Sequence, residues 1–165
     1  MFSNQIQHLV QQINAILHQL TNEEYCRPLS IFNQSTIGQH TRHIIEFFYE
    51  LEKGYAQGVV NYGNRKRNKL IETDKNAAMA ALNNILGVCE KPDKLLQLAI
   101  NHEPLHASDA VIATTYYREL AFAMEHTLHH MAIMRIGFEQ FKTIVVPKNF
   151  GFAAATLRQQ IKCAL

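Results

Sequence analysis

Four stretches of this chain repeat apolar residues every three or four positions, a period near 3.6 rather than 2, and this predicts that most of its length is amphipathic helix. The first stretch carries Ile6, Leu9, Val10, Ile13, Ile16, Leu17 and Leu20, which predicts a helix over Ser3 to Leu20. The second, from a cap at Ser35 or Thr36 to about Tyr55, aligns Ile37, Ile44, Phe47, Phe48, Leu51 and Tyr55. The third starts from Thr73 or Asp74 and runs on Ala77, Ala78, Ala81, Leu82, Ile85 and Leu86 to about Cys89, with Pro92 just beyond. The fourth begins near Thr114 or Thr115 and reaches about Phe141; it is apolar over more than half its circumference, as expected of a helix packed on several others.

Between these stretches the pattern changes. Thr21 to Ser35, with Pro28, reads as a connection, and Gly54, Gly58 and Gly63 close the second helix. Leu96, Leu98 and Ile100 alternate, as do Ala110, Ile112 and Thr114, which predicts two short strands in a hairpin. A turn at Pro147 to Gly151 leads to a last short helix from Ala153 to about Cys163. The expected fold is therefore all-α: one domain over residues 1–165, a four-helix bundle with a small β-hairpin before the last long helix and a short C-terminal helix.

Composition narrows the function. At 165 residues and 47% hydrophobic, the chain can bury a core without disulfides. Its net charge of +2, from 16 Lys and Arg against 14 Asp and Glu, predicts neither a nucleic-acid nor a membrane partner. The one basic run, Arg65 to Lys69, reads as a solvated loop. No apolar run approaches the roughly 20 residues of a membrane span, and the first residues resemble no signal peptide, so a cytoplasmic address is expected. Cys26, Cys89 and Cys163 are odd in number and widely spaced, which predicts reduced, inert thiols.

The unusual count is histidine. There are nine, and five fall in two groups, His40 with His43 and His126 with His129 and His130. His126 and His130 are one turn apart on one helix face, on a stripe with Glu119, Ala123, Ile133 and Gly137, and that stripe is expected to point inward. Two such nitrogens can reach one metal at about 2.0–2.1 Å, and a third histidine from a facing helix would complete a site with open positions. His129 is turned by about 100° from His130 and cannot serve the same ion without distortion. The bland reading is a set of hydrogen-bonded core histidines, and spacing alone does not separate the two.

Ser35-Thr36-Ile37-Gly38-Gln39-His40-Thr41-Arg42-His43 followed by Glu46-Phe47-Phe48, and Arg118-Glu119-Leu120-Ala121-Phe122 leading into Glu125-His126-Thr127-Leu128-His129-His130, resemble the DinB/YfiT-like superfamily of metal-dependent enzymes. The likeness runs in order through most of the chain, including Val146 to Gly151. It implies a four-helix bundle that holds one divalent metal by three histidines. The first ligand matches His43, with His40 the alternative one turn earlier, and the paired ligands match His126 and His130. Many members carry an aromatic residue four positions before the first ligand; Gln39 stands there, so the pocket lining is expected to differ.

Three neutral imidazoles leave a divalent ion's charge intact, so the site is expected to draw a proton from water or a thiol near neutral pH. Zinc and nickel lead for such a donor set, followed by iron and manganese. Glu46 and Glu119 are the candidates for orienting an imidazole or moving a proton, and Arg42 and Arg118 for clamping a carboxylate. Some members of the resembled family transfer low-molecular-weight thiols to electrophiles, which implies a thiol-dependent transferase acting on a small molecule. A metal-dependent hydrolase and a noncatalytic metal-binding or dimerising bundle are the alternatives, and family members often form homodimers. His102-Glu103-Pro104-Leu105-His106 spells the HExxH string of zinc peptidases, but that motif works on a helix and Pro104 opposes one.

Overall fold

The computed structural model describes residues 2–100 and 110–163. Among them are seven α-helices: α1 (Phe2–Leu17), α2 (Asn22–Cys26), α3 (Ile37–Gln57), α4 (Lys69–Thr73), α5 (Lys75–Val88), α6 (Tyr116–Phe138) and α7 (Ala154–Cys163). Three strands, β1 (Val59–Val60), β2 (Leu95–Ile100) and β3 (Ala110–Thr115), form one sheet in that order. The protein is thus mostly helical with a small sheet. The HExxH string lies outside the described residues.

The long helices start and stop where the local chemistry requires. Thr36 caps α3: its hydroxyl accepts the Gln39 N–H at 3.0 Å, and Gln39 Oε1 accepts the Thr36 N–H at 3.3 Å, a reciprocal capping box. Gly58, at φ 83°, ends the same helix in the left-handed conformation. Asp74 caps α5 by accepting the N–H groups of Asn76 and Ala77, and Thr115 caps α6 by accepting that of Arg118. Compared with the expected boundaries, α1 ends at Leu17 and α6 at Phe138; Leu20 and Phe141 are still buried, but from the turns that follow.

α3 packs on α6 and α5, and α1 packs on α5 and α6. Their inner faces share one core that includes Ile13, Ile16, Leu17, Ile44, Ile45, Leu82, Ile85, Leu120 and Met134. The sheet stands at one end of α3. The β2–β3 hairpin has the expected antiparallel pairing, with Leu96 opposite Thr114. β1 pairs in parallel with β2 through Val59 to Gln97 and Val60 to Leu98, an addition too short for periodicity to announce. Likewise α2, in the stretch read as a plain connection, is fixed by a second capping box between Thr21 and Glu24, and it delivers the fully buried Tyr25, whose hydroxyl donates to the Ile71 carbonyl at 2.7 Å.

Candidate metal centre

The α3–α6 contact is where the two histidine groups meet. His43 comes from the second turn of α3, and His126 and His130 from successive turns of α6. His43 Nε2 lies 2.9 Å from His126 Nε2, which lies 3.1 Å from His130 Nε2. One ring nitrogen from each of the three lies within 4.8 Å of the others. Two nitrogens held about 2.0–2.1 Å from one ion are separated by about 2.8–3.4 Å, for angles from square to tetrahedral. The observed spacings fall inside that interval, so the three histidines could hold a metal ion.

The protonation chemistry agrees. Each neutral imidazole has one N–H and one lone pair, and three converging Nε2 atoms cannot all satisfy one another by hydrogen bonds. A cation facing three lone pairs resolves that conflict. Burial, with smaller repulsion from neighbouring cations and rings, holds His43 down to about 3, His126 to about 4 and His130 to about 2. All three are neutral at pH 7, the form that ligates.

His40 stands behind this group. Its Nδ1 lies 3.0 Å from His130 Nδ1, and its ring meets Phe32 edge-on with centroids 4.8 Å apart. His129, on the neighbouring face of α6, is exposed. On the opposite flank Phe47 stacks on His126 with centroids 4.1 Å apart, Tyr62 stacks on Phe47, and Phe122 lies 5.7 Å from His126. Arg65 lies over Phe47 and Arg118 over Phe122. The site is therefore bounded by an aromatic wall with two guanidinium groups on it.

The two carboxylates singled out in the sequence are both buried, and their hydrogen bonds go elsewhere. Glu46 Oε1 accepts the Asn68 N–H at 2.7 Å, and its other oxygen faces Arg42 and Arg65 at 3.6 and 3.9 Å. Glu119 accepts from the Tyr62 hydroxyl at 3.0 Å, the Thr114 hydroxyl at 2.7 Å and Arg118 at 2.8 Å. Arg42, only 14% exposed, also pairs with Glu72, which makes it an internal ion pair rather than a free clamp. Arg118 is 57% exposed. Arg65, in the run read as a solvated loop, is instead mostly covered and donates to the Tyr62 carbonyl.

Gln39 also has a role that its family comparison did not suggest. Besides closing the α3 cap, it donates through Nε2 to Glu72 Oε1 at 3.3 Å, which ties the start of α3 to α4. Of the two cysteines whose side chains are described, Cys26 donates to the Thr73 carbonyl, and burial pushes Cys89 up to about 12. Comparison of the chain with family models, curated proteins and solved structures finds no match. The centre therefore rests on its own geometry.

A separate cleft of about 480 Å³ lies between α1, α6 and residues 149–157, lined by His8, Gln12, Met124, Leu128 and Phe152 among others. Met124 and Leu128 are turned by about 120–160° around α6 from His126 and His130, so the cleft opens on the far side of that helix.

Proposed function

We propose that this chain is a metal-dependent enzyme of the DinB/YfiT-like kind. Its four long helices make a four-helix bundle, and His43, His126 and His130 hold one divalent ion, zinc or nickel before iron or manganese. The observation that carries the reading is the convergence of three neutral imidazole nitrogens, at 2.9 and 3.1 Å along two sides, from two facing helices. The preferred reaction is transfer of a low-molecular-weight thiol to a small electrophile. A bound divalent ion supplies Lewis acidity, which lowers the pKa of a coordinated thiol or water.

The chain's own residues have distinct parts in this proposal. The three histidines would hold the ion and, being only three donors, would leave coordination positions open for substrate. Phe47, Tyr62 and Phe122 offer an apolar wall for the electrophile, and Arg118, more than half exposed above Phe122, offers a cation for a carboxylate on the thiol. Glu46 and Glu119 hold Arg65, Tyr62 and Arg118 in place around that wall. No helix among the described residues is long and apolar enough to cross a membrane. Pairing with a second copy belongs to the same family reading.

The test is elemental analysis of untagged protein, as purified and after zinc, nickel, iron or manganese is supplied, alongside His126→Ala and His130→Ala. The expected result is near-stoichiometric metal in the wild type and loss in both variants, without loss of helical signal. Turnover of electrophiles that requires added thiol supports the transferase, and turnover without thiol replaces it with a hydrolase. Metal binding that raises the melting temperature while no electrophile or ester is consumed leaves a noncatalytic bundle. A wild type that binds none of the ions removes the metal reading.

A further inference from the structure

A metal ligand needs more than a nitrogen in the right place; its ring must also be held in one tautomer and one orientation, commonly by a carboxylate or carbonyl that accepts its other N–H. His130 has such a neighbour, but it is another imidazole. His130 Nε2 faces His126 Nε2, while His130 Nδ1 lies 3.0 Å from His40 Nδ1. If Nε2 of His130 presents its lone pair to an ion, its proton sits on Nδ1. The only acceptor within reach there among the described residues is His40 Nδ1, so His40 must carry its own proton on Nε2.

Three further observations fit that assignment. The ring's one polar contact is the one to His130, since His40 Nε2 is buried without a hydrogen-bond partner among the described residues; the contact at Nδ1 therefore decides the tautomer, against the cost of an unpaired buried Nε2–H. Phe32 packs edge-on against the His40 ring and fixes its plane. The carboxylates that would ordinarily do this work are held elsewhere: Glu46 by Asn68, Arg42 and Arg65, Glu72 by Gln39, Arg42 and Lys69, and Glu119 by Tyr62, Thr114 and Arg118.

We propose that His40 is a positioning residue that accepts the His130 Nδ1–H and so locks His130 in the tautomer that ligates through Nε2, without itself touching the ion. The inference rests on the metal reading above. It has a chemical consequence. A carboxylate in this position would bring negative charge to the ligand ring, whereas a neutral imidazole brings none, so the charge of the ion is left undiminished for the substrate.

The test uses the full-length chain and zinc alone, titrated against a chromophoric chelator, in wild type, His40→Phe and His40→Asn. Phenylalanine keeps a ring against Phe32 and removes the acceptor; asparagine loses the ring but places an oxygen close to the position of Nδ1. The expected result is a loss of about 10–100-fold in zinc affinity for His40→Phe, with affinity for His40→Asn recovered most of the way to wild type. Nitrogen-15 spectra of the zinc-loaded wild type provide the reading that does not depend on a variant folding: His130 protonated at Nδ1, His40 protonated at Nε2, and His40 Nδ1 at the shift of an unmetallated nitrogen that accepts a hydrogen bond. Unchanged affinity in His40→Phe, or a His40 nitrogen shifted by zinc like those of His43 and His126, overturns the assignment while the metal site stands. A wild type that binds no zinc or other ion overturns the metal reading, and the role of His40 falls with it.

Discussion

Gly137 of α6 leaves the space that the Phe32 ring fills: a Cβ at this position would lie 2.5 Å from Phe32 Cε2 and nearer still to Cζ. Phe32 in turn packs on His40, so the absence of a methyl group on α6 is linked through one ring to the back of the candidate metal centre. Gly137→Ala is expected to force Phe32 out of its position. Overpacking of this kind costs about 1–3 kcal/mol, which outweighs the gain of up to about 1 kcal/mol in helix propensity. A thermal melt should show a lower midpoint, and zinc affinity should fall with it because His40 loses its support. A variant as stable as the wild type would mean that Phe32 can move aside freely.

Gly87, near the end of α5, gives the opposite sign. A Cβ there meets nothing within 4 Å, so only the backbone term remains. Gly87→Ala should stabilise the protein by about 0.5–1 kcal/mol, a rise of about 1–4 °C for a chain of this size. No change in metal content is expected, which makes this variant the control for Gly137→Ala.

Tyr62 and Glu119 test the buried polar cluster beside the aromatic wall. Glu119 is fully buried, and the Tyr62 hydroxyl is the hydrogen-bond donor to its Oε2. Tyr62→Phe keeps the ring stacked on Phe47 but strands that oxygen, at a cost of about 1.5–3 kcal/mol for a hydrogen bond to a charged group. Urea unfolding should show a lower midpoint with an unchanged slope. Zinc affinity should be unaltered, since Tyr62 makes no polar contact with the histidines. An unchanged midpoint would show that water replaces the hydroxyl without loss.

Much of this arrangement was legible because long helices advertise themselves. The stripe from Ile6 to Leu17, the cap at Thr36 and the cap at Asp74 are local facts of the chain, and the one-turn spacing of His126 and His130 is another. That His43 faces them across α3 and α6 depends on packing that no local spacing specifies. Glu119 shares a stripe with His126 but sits seven residues away, a rise of about 10 Å, too far for a direct hydrogen bond to that ring. The elements without a periodic signature are those too short to have one: β1 with two residues, α2 and α4 with five each. Of these α2 did leave a readable sign, the Thr21–Glu24 box. The ion pairs of Arg42 with Glu72 and Arg65 with Glu46 join residues 30 and 19 positions apart, and nothing in either neighbourhood points to the other.

The depressed histidines make a prediction about acid that distinguishes this site from an exposed one. An unfolded chain takes up protons on these rings below about 6.5, whereas the folded chain resists until about 4 at His126, about 3 at His43 and about 2 at His130. Between those limits the unfolded state binds more protons, so stability rises with pH. The contribution is fully present above about 6.5 and is lost progressively as pH falls through the folded values. His130→Phe removes one of the three groups and should flatten the fall in melting temperature of the metal-free protein between pH 6 and 4. The same ordering governs ligation, because only protonation of the folded rings competes with the metal. Zinc affinity should therefore change little between pH 7 and 5, since protons compete for the folded rings only from about 4 downwards, read by titration against a chelator at each pH. An affinity that falls steadily from about 6.5 would show that the three imidazoles are as open to water as free histidine, and that burial does not shape this site.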